Sequence, residues 1–163
     1  MLDKRKFYIN GRWVEPKKPN DFNVINPCNE DSCAIISLGS KEDTNAAIKS
    51  AKNAFETWKE TTKEDRLNYL EKLLSVYKKR SREMAEAISL EMGAPMDWAT
   101  EVQTASGQSH LEDFILRLKD FEFDEHFNEK SNNHICYEPI GVCGLITPWN
   151  WPINQIALKV IPA

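Results

Sequence analysis

The 163-residue sequence has no apolar run long enough to form a membrane-spanning helix. Its first residues are charged and lack the apolar core of a secretory signal, so we expect a cytoplasmic protein with no membrane partner. A basic excess is also missing, because 21 lysine and arginine residues stand against 25 acidic residues, for a net charge of −4. Nucleic-acid binding requires clustered positive charge, so we expect no nucleic-acid partner.

Metal-ligating residues are scarce as well. The four cysteines, Cys28, Cys33, Cys136 and Cys143, include no pair at C-x-x-C spacing, and the three histidines do not complete a zinc ligand set. Cys136 and Cys143 lie in an apolar, strand-like stretch, where small buried thiols are common. We therefore predict that all four cysteines are structural.

The chain begins with a β-rich segment over residues 1–39. Asn10-Gly11 separates two apolar runs, which is the strongest short signal for a β-hairpin. Two further β-rich runs follow at residues 22–25 and 33–38, and Asn26-Pro27 closes the first of them. Short strands are therefore predicted throughout this segment.

Residues 40–120 are predicted to form a layer of three helices. Residues 40–43 and 61–64 have the pattern of a capping box, Gly93 with Pro95 ends the second helix, and Asp97 is predicted to cap the third. Such helices usually turn their apolar stripes toward a core, although a cofactor-binding or partner-binding bundle is the alternative. The stripes at helical spacing are Ile48, Ala51, Phe55 and Trp58; Leu67, Leu70, Leu74, Tyr77, Met84 and Ile88; and Val102, Ala105, Leu111, Phe114, Ile115 and Leu118.

The last part of the chain changes character twice. Residues 121–134 mix acids and aromatics and predict a surface connection or a protruding hairpin. Residues 140–146 form a nearly continuous apolar run, typical of a strand buried on both faces of a parallel sheet. Pro148 and Pro152 then bracket a turn that carries Asn150, and Pro152 suits the first position of a helix. Open α/β sheets bind ligands at such turns, so the turn is predicted to hold the Asn150 amide in place.

These residues resemble the aldehyde dehydrogenase superfamily over essentially the whole chain. Residues 8–14 and 24–27 look like its amino-terminal strands, and residues 139–152 with Lys159 look like its most specific early motif. The resemblance implies an α/β fold, the incomplete amino-terminal part of the aldehyde dehydrogenase fold. It would comprise a β-hairpin, a three-helix layer, and the first strand and helix of a Rossmann-like parallel sheet. Residues 135–163 would begin the nucleotide-binding core, and the catalytic domain would be absent.

The activity that the resemblance implies is oxidation of an aldehyde to a carboxylic acid with NAD or NADP. In the family a cysteine thiolate attacks the aldehyde, hydride passes to the nicotinamide, and a glutamate activates the water that hydrolyses the thioester. That cysteine and that glutamate lie beyond the position of residue 163, and none of the four cysteines here matches the nucleophile's motif. The chain alone is therefore expected to be inactive, and the full-length protein to be a homo-oligomer. The alternative is a non-catalytic truncated paralogue that associates with full-length subunits.

Individual site residues also follow from the resemblance. Asn150 would donate a hydrogen bond in the oxyanion hole and contact the cofactor, and Lys159 would take part in a charge relay with the general base. The cofactor would be lined near its nicotinamide ribose by Ile146, Thr147, Pro148 and Trp149. Trp149 packed in the core and Lys159 snorkelling to solvent are the competing interpretations. A monovalent cation would be bound by the carbonyls of Val24 and Ile25 and the carboxylate of Glu91.

Overall fold

The computed structural model describes residues 1–128 and 132–163. Its amino-terminal part contains five short strands, β1 (Leu2–Asp3), β2 (Phe7–Ile9), β3 (Arg12–Val14), β4 (Asp21–Ile25) and β5 (Ser32–Ser37). β2 and β3 form an antiparallel hairpin around Asn10-Gly11, whose φ angles are 54° and 72°. Asn and Gly tolerate this left-handed conformation better than other residues. The predicted hairpin is confirmed.

A three-stranded sheet in the order β1-β5-β4 lies beside this hairpin. β4 pairs antiparallel with β5, and the ladder is irregular between Val24 and Ile25. β1 pairs parallel with β5. β1 was not predicted, because a two-residue strand is too short to show an alternating pattern.

The first two helices have the predicted capping boxes. α1 (Lys41–Trp58) is capped by Ser40, whose hydroxyl accepts from the Asp43 amide while the Asp43 carboxylate accepts from the Ser40 amide. α2 (Lys63–Met92) is capped in the same way by Thr62 with Asp65, one residue later than predicted, since an aspartate closes the box as well as a glutamate. Gly93 ends α2 at a φ of 70°, as expected for a C-terminal glycine.

The third helix differs from the prediction in two ways. It consists of α3 (Met96–Trp98), a π-helical stretch (Ala99–Thr104) and α4 (Ala105–Asp120). Asp97 is not its cap, because the helix already begins at Met96 after Pro95, and Asp97 lies within the first turn. Its carboxylate there interacts favourably with the positive end of the helix dipole, but it does not accept a capping hydrogen bond from a backbone N–H. The π-helical stretch has no signal in the apolar pattern.

The core lies where α2, the π-helical stretch and α5 (Pro152–Val160) meet, and α5 also packs on α4. A cluster formed by Ala85, Ile88, Ala99 and Ile153 is buried there. The stripes of α2 and α4 therefore pack as a core, which favours that interpretation over a binding bundle. On α1, by contrast, Ile48 and Trp58 are exposed, although Trp58 contacts the Tyr69 ring of α2.

The predicted protruding hairpin is confirmed by β6 (Asp124–His126) and β7 (His134–Cys136), which pair antiparallel. β7 crosses the predicted boundary between residues 134 and 135. Residues 129–131, in the middle of the predicted connection, lie outside the described part of the chain. None of the helices in the described residues combines the length and apolar content that a membrane span requires.

Residues 140–146 form no strand, in contrast to the prediction. Ile140 is 93% exposed and Ile146 is 88% exposed. A strand needs neighbours for its N–H and C=O groups, and no described element lies alongside this run to supply them. The expected burial of Cys136 and Cys143 is wrong: Cys143 lies in this unpaired run, and Cys136 lies in β7 of an exposed two-stranded hairpin. Both are exposed, as is Cys28, while Cys33 is partly buried.

Candidate cofactor and oxyanion site

The turn that carries Asn150 ends in an unusual backbone conformation. Trp151 has φ and ψ of 61°, in the left-handed region, and α5 begins directly after it at Pro152. Pro152 occupies the first helical position, as predicted. A bulky residue in the left-handed region costs about 1–3 kcal/mol and persists only where the surrounding structure holds it. Strain of this kind concentrates at functional sites, which makes the neighbouring Asn150 a candidate functional residue.

Helix α5 is held against α4 by packing and by one hydrogen bond. Ile153 and Ala157 are buried. Nε2 of His110 on α4 lies 2.7 Å from Oδ1 of Asn154 on α5. Nearby, burial raises the pKa of Tyr77 to about 12, so its hydroxyl stays protonated and donates to the Thr104 carbonyl at 2.7 Å.

An open cavity of about 720 Å³ lies between β4, the end of α2 and the Asn150 turn. It brings together two groups of predicted site residues that are far apart in the sequence. Val24, Ile25 and Glu91 come from the predicted cation site, and the other group comes from the predicted cofactor wall. The full lining is Val24, Ile25, Pro27, Glu91, Met92, Thr147, Pro148, Trp149, Pro152 and Ile156.

Three predicted residues are not part of that lining. Ile146 and Asn150 are exposed beside it. Among the described residues, the Asn150 carboxamide makes no hydrogen bond, so the turn presents its N–H groups to solvent. Lys159 is partly buried, and its Nζ lies 3.4 Å from Oε1 of Gln155 one helical turn earlier. The lysine therefore reaches a polar group on its own helix.

Trp149 is 82% exposed, so the described residues do not pack around it as a core. Its ring faces the open cavity together with Pro148 and Thr147. Large exposed aromatic surface at a concave site is typical of a binding wall.

The predicted cation ligands share the cavity but are not arranged as a preformed cage. The Val24 carbonyl accepts from the Cys33 thiol, with Sγ at 3.3 Å. The irregular pairing between Val24 and Ile25 interrupts the ladder beside it, and Glu91 is exposed. Within residues 1–128 and 132–163, no three His, Cys, Asp or Glu side chains cluster as a metal site would require.

Comparison with known proteins identifies the family. The model of the aldehyde dehydrogenase family matches residues 13–163. This chain belongs to the aldehyde dehydrogenase family. A 3-succinoylsemialdehyde-pyridine dehydrogenase from Pseudomonas sp. is 43% identical over 164 residues, covering 100% of this chain and 34% of the relative. The chain thus spans about a third of the length of the curated relatives it matches.

Solved structures agree with this assignment and with the mixed α/β fold. An aldehyde dehydrogenase from Bartonella henselae superposes with a TM-score of 0.97 at 55% identity, covering 99% of this chain and 34% of the other. Aldehyde dehydrogenase C of Pseudomonas syringae, solved with NAD+ and octanal, superposes with a TM-score of 0.92 at 38% identity, covering 97% and 32%. The chain corresponds to the amino-terminal third of these aldehyde dehydrogenases.

Some residues of this aldehyde dehydrogenase site were not predicted. Pro27 and Met92 line the cavity, and Asn26-Pro27 was interpreted only as the end of a strand. The contact between His110 and Asn154 has no sequence signal, because the two residues are 44 positions apart and each lies in an ordinary helical pattern. Pro152 and Ile156, in contrast, were predicted as part of the final helix but not as part of the cavity.

Proposed function

We propose that this chain supplies the amino-terminal third of an NAD-dependent enzyme that oxidises an aldehyde to a carboxylic acid. The observation that carries the proposal is the cavity in which Thr147, Pro148 and Trp149 meet Val24 and Glu91. NAD is proposed rather than NADP because aldehyde dehydrogenase C of Pseudomonas syringae was solved with NAD+.

The lining of the cavity suits a nicotinamide ring and its ribose. Thr147, Pro148 and Trp149 of the lining, with Ile146 exposed beside them, would hold this end of the cofactor through a mainly apolar wall. The exposed ring of Trp149 gives that wall its largest side chain. NAD, when bound, accepts the hydride released by the oxidation. The residues of this chain would orient the ring and exclude water from its face.

Asn150 is proposed as a donor in the oxyanion hole and as a contact to the cofactor. Its side-chain N–H would bind the aldehyde oxygen as negative charge develops on it. A carboxamide is a suitable donor because it is uncharged and keeps its proton across the physiological pH range. Donors of this kind stabilise the transition state more than the ground state.

Lys159 is proposed to assist the general base through a charge relay. Its Nζ contacts only the neutral oxygen of Gln155 among the groups described above, so its charge is available to a carboxylate from the rest of the enzyme. No cysteine of the described residues lines the cavity. The attacking thiolate and the general base are therefore proposed to come from the remainder of the full-length protein, and the 163-residue chain alone to be inactive.

A monovalent cation is proposed at the Val24, Ile25 and Glu91 end of the cavity. The irregular β4–β5 ladder at Val24 and Ile25 supports it, because carbonyls at a bulge deviate from regular pairing. The Glu91 carboxylate is exposed to the same cavity and would supply the charge. The cation would link β4 to the end of α2.

The complete enzyme is proposed to act in the cytoplasm as a homo-oligomer on an aldehyde substrate. The β6–β7 hairpin supports association between subunits, because its two strands pair only with each other among the described residues. Each strand therefore keeps an open edge that another strand can extend.

The test uses a chimera in which residues 1–163 replace the matching third of the Bartonella henselae enzyme, which is 55% identical over this region. The chimera is expected to form NADH from NAD+ and an aldehyde. Asn150→Ala should lower kcat by about 10²–10³-fold, the effect of removing one oxyanion donor. The matched control is Asn53→Ala, which removes an exposed asparagine on α1.

The larger effect of Asn150→Ala should fall on kcat, because the proposed donor acts mainly in the transition state, and the loss of its cofactor contact should raise the KM for NAD+ to a smaller extent. Asn53→Ala should change neither quantity. A kcat for Asn150→Ala within threefold of the parent would contradict the role of Asn150. A folded chimera that binds NAD+ and does not turn over an aldehyde would contradict the proposed function as a whole.

A further inference from the structure

We infer that His110 is a positioning residue, which fixes the first turn of α5 through Asn154 and thereby aims the Asn150 carboxamide. The inference rests on the proposed role of Asn150. His110 itself lies on α4 and is not among the residues of the cavity lining. Its action on the reaction would be entirely through the helix that follows the Asn150 turn.

Helix α5 needs an external anchor at its first turn. Trp151, the residue before the helix, supplies no side-chain cap and adopts the left-handed conformation. The helix is nine residues long. Isolated helices of this length are marginal in water, so their position depends on tertiary contacts.

The distance between α5 and α4 is set by close packing. Gly107 on α4 is buried, and a Cβ built on it would lie 2.9 Å from Cγ1 of Ile153 and 2.5 Å from the Tyr77 hydroxyl oxygen. Only a glycine allows this approach without displacing α5 or Tyr77. The first turn of α5 therefore lies directly against the backbone of α4.

Packing against Gly107 and the burial of Ile153 and Ala157 set the distance of α5 and the face that it turns to the core. The hydrogen bond between His110 and Asn154 adds a directional constraint on the first turn, because a hydrogen bond weakens steeply when its donor and acceptor are misaligned. Oδ1 of the Asn154 amide can only accept, so Nε2 of His110 carries the proton and donates at 2.7 Å. Asn154 is the third residue of α5, and Asn150 precedes the helix by two residues. Rotation of the first turn would therefore swing the Asn150 carboxamide away from its position.

The experiment measures two quantities in the same chimera described above. The first is amide hydrogen exchange over residues 150–160, which reports the order of α5 without any reference to activity. His110→Ala should speed this exchange by about two- to tenfold, the effect of losing one hydrogen bond. The second quantity is kcat, which should fall by about tenfold, less than in Asn150→Ala, since misplacing a catalytic group weakens it without removing it.

Four further variants separate positioning from a general loss of stability. His110→Gln should restore most of both quantities, because its side-chain N–H can donate to Asn154. Asn154→Ala should match His110→Ala, and the double variant should add little, as expected for two residues that act through one bond. Ser109→Ala, an exposed neighbour on α4, is the control and should change neither quantity.

The inference and the proposed function can fail separately. Exchange over residues 150–160 that is unchanged in His110→Ala overturns the inference. A large kcat loss in Asn150→Ala with none in His110→Ala also overturns it, while the proposed role of Asn150 stands. A wild-type kcat in Asn150→Ala overturns the proposed role of Asn150, whatever the exchange measurement shows.

Discussion

Ile88 on α2 is 3% exposed, whereas Ile140 in the segment 137–151 is 93% exposed, although both lie in strongly apolar parts of the sequence. The difference comes from the backbone. A helix satisfies its own N–H and C=O groups, so α2 needs only neighbouring helices to bury Ile88. A strand satisfies none of them alone, so the run around Ile140 stays irregular until other strands lie beside it.

The same contrast separates the two functional parts of this aldehyde dehydrogenase chain. The platform formed by α2, the π-helical stretch, α4 and α5 is already packed. The segment 137–151, which carries the Asn150 turn, is exposed almost throughout. The chain spans 34% of its curated relative from Pseudomonas, and no described strand pairs with this segment.

The largest effect is expected from the same substitution, isoleucine to alanine, made once in α2 and once in the segment 137–151. Ile88→Ala should lower the free energy of unfolding of the 163-residue chain by about 2–5 kcal/mol, because it opens a cavity in the buried cluster. Ile140→Ala should change it by no more than about 0.5 kcal/mol, since the side chain is exposed. Urea unfolding followed by circular dichroism measures both. In the chimera, Ile140→Ala should lower the free energy of unfolding more than it does in the isolated chain. Equal losses of stability for the two variants in the isolated chain would contradict the difference between α2 and the segment 137–151.

A smaller effect, on the pH dependence of stability, is expected at the start of helix α1. The Lys17 backbone amide, followed by the Ser40 side chain and amide, lowers the pKa of Asp43 at the start of α1. A carboxylate with a lowered pKa stabilises the fold above its unfolded pKa of about 3.9, and this contribution disappears as the pH falls through its folded pKa. The urea midpoint should therefore drop on acidification below about pH 4.

In Asp43→Asn the urea midpoint should drop less on acidification than in the parent, because the asparagine side chain does not titrate. Glu138→Gln, which removes one carboxylate from the exposed segment, is the charge-matched control and should behave as the parent does. An acid profile that is the same for Asp43→Asn and the parent would show that the α1 cap does not contribute to the pH dependence.

The features that were predictable from the sequence are those determined by neighbouring residues. The hairpin at Asn10-Gly11, both capping boxes, the end of α2 at Gly93 and the start of α5 at Pro152 all follow from local chemistry. The site motif at residues 146–150 was found through its resemblance to a family, and the cavity joins it to Val24 and Glu91.

The features that were missed depend on distant contacts. The state of residues 140–146 depends on strands from elsewhere in the fold, and the parallel pairing of β1 with β5 joins residues that are 32 positions apart, such as Leu2 and Ala34. The π-helical stretch and the bond between His110 and Asn154 depend on how whole helices pack. None of these leaves a periodic pattern in the sequence.

The proposal that this chain needs the remainder of the enzyme for activity is tested most directly by aldehyde-dependent NADH formation. The assay compares the purified 163-residue chain, its Asn150→Ala variant and the chimera. We expect turnover by the chimera alone, because the proposed contributions of this chain are a cofactor wall and an oxyanion donor, and the nucleophile and the base are proposed to come from the remainder of the enzyme. NADH formation by the isolated chain above the level of its Asn150→Ala variant would contradict this proposal.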